Sequence, residues 1–288
     1  MQGVGLQTLD RGRPFGWMRR HLAAAAFLCC GLLMPGCASV EGIAIALDEQ
    51  SQRKVEYVLA GSGGPVVVFE NGLGGRLEWW SKIIPEISRK TTVYAYNRAG
   101  TGSSTLTARP RDGLQVIDEL RQNLRERKLP PPYVLVSHSL GGLYVQLYMR
   151  RYPDEVGGLV LVDSAHPEQL KGKGSPSNWP AWFKVAFDVA SSATVKNELA
   201  SIPTSGQELL ALPPVRGKPV IILSAQEPMQ AQSALARDAN AKRIDILRLN
   251  PGARQIWVNS GHAIPLEKPD AVINAIEDVL SELREQKK

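Results

Sequence analysis

One bend constrains this chain more than anything else in it. An apolar run, Tyr133-Val134-Leu135-Val136, passes through Ser137-His138-Ser139-Leu140-Gly141-Gly142 into a helix-patterned stretch from Leu140 to Arg151. An apolar, β-branched run without alternation marks a strand covered on both faces. A strand that turns sharply into a helix needs small side chains at the bend, because larger ones would strike the adjoining elements. Ser137 and Gly141 supply them, two residues either side of Ser139.

The rest of the chain repeats that pattern. Val55–Leu59, Val66–Phe69, Thr92–Tyr96, Leu159–Val162, Pro219–Leu223 and Gln255–Val258 read as strands. Trp79–Ile87, Gly113–Arg127 and Asp270–Leu283 read as helices between or after them. Apolar strands alternating with helices specify an α/β domain with a mostly parallel central sheet flanked by helices. The chain has 288 residues, enough for one such domain over 55–288. The stretch 167–214 breaks the alternation and is expected to form a small helical cap insertion. Within it Trp179, Trp182, Phe183 and Phe187 share helical spacing. That stripe either packs the cap onto the domain or lines an apolar pocket over Ser139, with His166, Trp179, Trp182 and Phe183 as pocket candidates.

The first 36 residues read as an address rather than structure. Arg19-Arg20 precede an apolar run from Leu22 to Met34, then Pro35-Gly36-Cys37-Ala38-Ser39. A basic flank, a short apolar run and small residues beyond it make an export signal, too short to span a bilayer comfortably. Met18 is a second candidate start, ahead of a compact signal. Gly36-Cys37 resembles the lipobox of bacterial lipoproteins, which implies lipidation at Cys37, a membrane anchor and a place in the bacterial cell envelope. The alternative is an ordinary cleaved signal and a periplasmic or secreted protein. Residues 37–54 are then a polar tether or leading strand.

Arg11, Arg13, Arg19 and Arg20 against Asp10 put half of the net charge of +6 into that leader. The remaining basic residues are dispersed, so no groove for nucleic acid is expected. Cys29 and Cys30 fall in the leader with Cys37 just beyond, and the domain after them has no cysteine. Thiol catalysis and a Cys-ligated metal are therefore excluded there.

With Ser137-His138-Ser139-Leu140-Gly141 between a buried strand and a helix, residues 55–283 resemble the α/β-hydrolase family. The resemblance implies that Ser139 is a nucleophile. Asn97-Arg98-Ala99-Gly100-Thr101-Gly102-Ser103 is similar to the family's D-R-x-G-x-G-x-S loop, where its part is structural. A serine attacking a carbonyl creates an oxyanion, which backbone N–H groups stabilise. Leu140, at a helix N-terminus where amides lack partners, is one expected donor. Leu73 is the other, in Asn71-Gly72-Leu73-Gly74, where relatives carry His-Gly and this chain has Asn71. That loop lacks the Lys-Ser/Thr of a phosphate cradle, and Leu77 stands where a third dinucleotide-fingerprint glycine would fall.

Of four histidines, His21 lies in the leader and His138 inside the bend, its side chain expected to turn away from Ser139. His166 stands at the cap entrance. His262, in Ser260-Gly261-His262 between the last strand and the last helix, is the expected base. The third member orients that imidazole. Asp163 ends strand Leu159–Val162, and Glu227 follows strand Pro219–Leu223. Both fit the order serine, acid, histidine, and the reading favours Asp163.

The expectation is a serine hydrolase of carboxylic esters with an apolar part, without cofactor or metal. Thioesterase, amidase, C–C hydrolase and perhydrolase chemistry share the same residues. Ser139 in place of an aspartate argues against dehalogenase and epoxide-hydrolase chemistry. A surface-anchored binding protein retaining the fold is the rival of another class. The sequence sets no oligomeric state.

Overall fold

The computed structural model describes residues 46–50, 53–226 and 233–286. The leader with Cys37, and Glu227, lie outside the described residues. Among the described residues eight strands form one sheet: β1 (Ala46–Gln50), β2 (Arg53–Ala60), β3 (Val66–Glu70), β4 (Val93–Tyr96), β5 (Tyr133–His138), β6 (Val156–Val162), β7 (Val220–Ala225) and β8 (Arg254–Val258). Their order across the sheet is β1-β2-β4-β3-β5-β6-β7-β8. Both pairings of β2 are antiparallel and every pairing from β4 to β8 is parallel.

The parallel strands inside the sheet are largely apolar because each has two covered faces, whereas the edge strand β8 exposes Arg254 and Ile256. Val66, Val68, Leu135, Leu159 and Leu161 point into one core. Val67, Phe69, Val134, Val136, Val160 and Val162, the intervening residues, point into the other. The first core is closed by α2 (Gly113–Glu126) and α3 (Leu140–Arg151). The second is closed by α1 (Ile84–Ser88) and α8 (Pro269–Glu285). Asp112 caps α2 by accepting from the Gln115 amide, which fixes where that helix starts.

Between β6 and β7 the chain leaves the sheet for two helices, α4 (Ala181–Ala190) and α5 (Ala193–Leu210). α5 packs on α2 and α3. Between β7 and β8 runs α6 (Ala234–Leu249), capped by Ser233, and a short α7 (Ile264–Glu267) precedes α8.

Several expectations need correction. Of the two readings of 37–54, the leading strand holds for its described part: β1 pairs with β2 from Ala46↔Tyr57 to Gln50↔Arg53. The stretch 79–87 is not one helix: a 3-10 turn, Leu77–Trp80, is followed by α1. Pro85 is the reason, since it has no N–H to continue a helix from the preceding turn. β6 begins at Val156, because Gly157 and Gly158 lie under neighbouring chain: a Cβ at Gly158 would sit 2.8 Å from the Pro219 carbonyl oxygen. Helix α6 has no counterpart among the sequence-based elements.

Candidate active site

The bend at Ser139 is built from backbone contacts that leave no room for side chains. Ser139 has φ +52° and ψ −120°, a conformation that costs an L-residue strain and persists only where its surroundings impose it. Its N–H donates to the Val162 carbonyl at 3.0 Å, and its own carbonyl accepts from Gly142 at 2.9 Å and Ala165 at 2.8 Å. A Cβ on Gly141 would lie 2.6 Å from the Asn71 carbonyl oxygen, and one on Gly142 would lie 2.0 Å from Ser164 Oγ. Two glycines are therefore required where strand ends and helix meet.

Three side chains from three strand ends form one chain of hydrogen bonds. His262, between β8 and α7, has Nε2 at 3.0 Å from Ser139 Oγ. Its Nδ1 lies 2.6 Å from Asp163 Oδ2. A carboxylate can only accept, so Nδ1 carries the proton and Nε2 is left to accept from the serine hydroxyl. Asp163 ends β6 at φ +41°. The structure thus brings Ser139, His262 and Asp163 together.

Asp163 is held as an anion by a group the sequence did not point to. Arg243, on the inner face of α6, grips it with Nε on Oδ1 at 2.7 Å and Nη2 on Oδ2 at 2.9 Å. The Ala225 amide adds a bond to Oδ1 at 3.1 Å. Burial disfavours the charge, but the hydrogen bonds and charge of Arg243, and then those of His262, hold the carboxyl far below the usual range. A signal for Arg243 did exist. It occupies the buried periodicity Ala236, Ala239, Arg243, Ile246 of α6, where an arginine is tolerated only with a partner.

His138 is no bystander either. Its Nε2 lies 2.9 Å from the His262 carbonyl oxygen, which makes Nε2 the protonated nitrogen. Its ring stacks on Trp79 at 4.9 Å and meets the His262 ring at 4.6 Å. Burial, then the proximity of His262, lowers it to about 3, so it stays neutral. It anchors the backbone that carries His262.

Ser139 opens into a cleft of about 850 Å³, including space open to solvent. Its apolar wall is Leu73, Trp79, Leu140, Leu170, Leu199 and Ile202. Leu73 and Leu140 thus stand beside Ser139, and a Cβ on Gly72 would come 3.1 Å from the Ser139 Cβ. The other pocket candidates are elsewhere. Phe183 and Phe187 are buried in the cap's own packing, Trp182 is half exposed, and Trp179 packs edge-on to Phe183. His166 is not in the cleft wall: it is buried, with Nε2 2.9 Å from Asp245 Oδ2. The stripe spends its apolar area holding α4 down, and α5 presents Leu199 and Ile202 to the cleft instead. Among the described residues no cluster of three His, Cys, Asp or Glu side chains is arranged to hold a metal.

The family model described as "alpha/beta hydrolase fold" matches residues 65–268. A human protein named (Lyso)-N-acylphosphatidylethanolamine lipase is 31% identical over 150 residues, 49% of this chain and 41% of that one. The chain spans less than half the length of the curated relatives it matches. The structure of lip1 from Acinetobacter baumannii AYE superposes with TM-score 0.64 at 19% identity, covering 98% of this chain and all of the other. An alpha/beta hydrolase fold protein of Burkholderia ambifaria gives TM-score 0.58 at 16% identity over 81% of this chain and 97% of its own. At such identities the superpositions speak for the fold alone.

Proposed function

The chain belongs to the alpha/beta hydrolase fold family, and on that premise we propose that it is a serine hydrolase cleaving carboxylic esters with an apolar acyl or alcohol part. The reading rests on the Ser139–His262–Asp163 chain, with its contacts of 3.0 and 2.6 Å, facing an apolar cleft. Ser139 Oγ attacks the ester carbonyl carbon while His262 Nε2 takes the hydroxyl proton. The carbonyl oxygen becomes an oxyanion, which the amides of Leu140 and Leu73 receive. Collapse of that intermediate expels the alcohol, protonated by His262, and leaves an acyl-Ser139 ester. Water then attacks this ester, giving its proton to His262, and as the second intermediate collapses His262 returns that proton to Ser139 Oγ and the carboxylic acid leaves. Asp163 stays ionised and stabilises the imidazolium at each stage. No step requires a metal or cofactor.

The lipase named among the relatives acts, by its name, on a lipid, which agrees with an apolar wall of Leu73, Leu170, Leu199 and Ile202. A fluorophosphonate probe should label the wild type and fail on Ser139→Ala, and p-nitrophenyl esters of graded length should be turned over. Folded wild type that neither labels nor hydrolyses any ester would favour a binding protein that keeps only the fold. We also propose export and lipid attachment at Cys37. Cys37→Ser should then release the protein from the membrane fraction, and unchanged attachment would refute lipidation.

A further inference from the structure

The loop that carries Leu73 is held from behind by one buried cation. Arg98, in the loop after β4, is 2% exposed. All five of its N–H groups are used. Nη1 donates to Glu70 Oε1 at 2.7 Å and to the Asn71 carbonyl at 2.6 Å. Nη2 donates to the Gly72 carbonyl and to Glu198 Oε2, both at 2.7 Å. Nε donates to Glu198 Oε1 at 2.8 Å. The guanidinium thus binds two successive carbonyls of the Asn71-Gly72-Leu73 loop on one side, and a carboxylate of α5 in bidentate fashion on the other.

The consequence follows from peptide geometry. In a trans peptide the C=O and the N–H of the next residue point in opposite directions. The Gly72–Leu73 bond is not among the cis bonds of the structure. Fixing the Gly72 carbonyl on Arg98 therefore turns the Leu73 N–H away from Arg98, toward the cleft that Gly72, Leu73 and Ser139 line together. Asn71 is pinned as well, with Nδ2 donating to the Tyr96 carbonyl at 2.9 Å and Oδ1 accepting from Trp80 Nε1 at 2.7 Å. The Gly72 carbonyl also accepts from the Gly75 N–H at 3.1 Å, so that turn and Arg98 together set the Gly72–Leu73 peptide plane, the one part of the loop that glycine would let turn. A flipped plane would put a carbonyl oxygen where the oxyanion forms.

We propose that Arg98 is a positioning residue for the oxyanion site, holding the Gly72–Leu73 peptide so that the Leu73 amide faces Ser139, and that Glu198 makes this depend on the docking of helix α5. The same helix supplies Leu199 and Ile202 to the cleft wall, so the element that touches the acyl part also sets the electrophilic side of the site. The inference rests on the serine-hydrolase reading above.

The test compares wild type, Arg98→Lys and Glu198→Gln, each checked for a folded state by its melting transition. The readouts are kcat and KM on one ester, the inhibition constant of a trifluoromethyl ketone of the same chain length, and that of the matching non-electrophilic alcohol. The ketone forms a tetrahedral adduct with a serine and requires the oxyanion donors; the alcohol does not. Removing one donor outright costs about 10²–10³ in kcat. Loss of its orientation should cost about tenfold to hundredfold in Glu198→Gln and more in Arg98→Lys, with KM within about threefold. Ketone affinity should fall by the same factor as kcat/KM, and alcohol affinity should not change. A folded Glu198→Gln with wild-type kcat and ketone affinity overturns the proposal, as does a parallel loss of ketone and alcohol affinity, which marks a merely structural role. If Arg98→Lys does not fold, Glu198→Gln decides alone. Wild type that neither turns over esters nor binds the ketone refutes the serine-hydrolase reading and this proposal with it, an outcome distinct from the others.

Discussion

Asp163 accepts from His262 and from Arg243 through the same oxygen, Oδ2, and this shared atom separates two roles that mutation can pull apart. Asp163→Asn leaves the size unchanged but removes the acceptor that fixes the His262 tautomer, and kcat should fall by about 10⁴. It also removes the anion that the buried Arg243 guanidinium pairs with, so about 3–5 kcal/mol of stability should go with it. Arg243→Leu strands the carboxylate instead and should cost stability on the same scale, yet it keeps the His262 bond. Its kcat should therefore fall far less than that of Asp163→Asn. Urea melts beside ester turnover check both, and equal losses of kcat would mean that Arg243 acts in the chemistry. Sequence reasoning favoured Asp163 over Glu227, and the buried periodicity of α6 marks Arg243 as needing a partner, but which partner is set by how α6 packs against the end of β6 and has no local pattern. His138 was legible as a neighbour of Ser139, not as the donor to the His262 carbonyl. That contact is made across the whole sheet-helix register.

At the scale of elements, unbroken apolar runs located most of the parallel strands, since burial on two faces dictates them, and helical periodicity located most of the long helices. They did not find α6, whose inner face mixes Ala236, Asn240 and Arg243 with Ile246 and so shows no clean apolar stripe. They also could not say which cap helix faces the cleft. An amphipathic stripe announces that a helix is buried, not against what. The structure answers with α5, and a functional contrast follows. Trp182→Ala, at a half-exposed position of α4, should leave the ester chain-length preference unchanged. Phe183→Ala should cost about 3–5 kcal/mol of stability while leaving that preference alone. Ile202→Trp, in the cleft wall, should shift the preference toward shorter acyl chains, by about tenfold to hundredfold against the longest. A panel of esters of graded length reads all three, and a preference that moves with Trp182 instead would return the pocket to α4.

For the molecule as a whole, acid is the condition that tests how its buried ionisable groups are arranged. His138 is buried and lowered to about 3, whereas in an unfolded chain a histidine titrates near about 6.5. Between those values the unfolded chain binds a proton that the folded one refuses, so stability falls as pH drops through the window. The slope is up to about 1.4 kcal/mol per pH unit. His166, lowered by burial against the opposing pull of Asp245, acts in the same sense. Asp163 takes over lower down. Its folded carboxyl is far below an unfolded value of about 3.9, so its stabilisation is complete above that value and is lost as pH falls toward the folded one. The protein should therefore lose stability steadily from pH 6.5 toward 4 and steeply below. His138→Gln, whose amide can still donate to the His262 carbonyl, removes one proton from that balance. Urea midpoints measured from pH 7.5 to 4.5 should decline less steeply in the variant, by about one proton's worth of slope. If the two curves run parallel, His138 is not held neutral in the fold, and the anchoring of the His262 backbone must be sought in another contact.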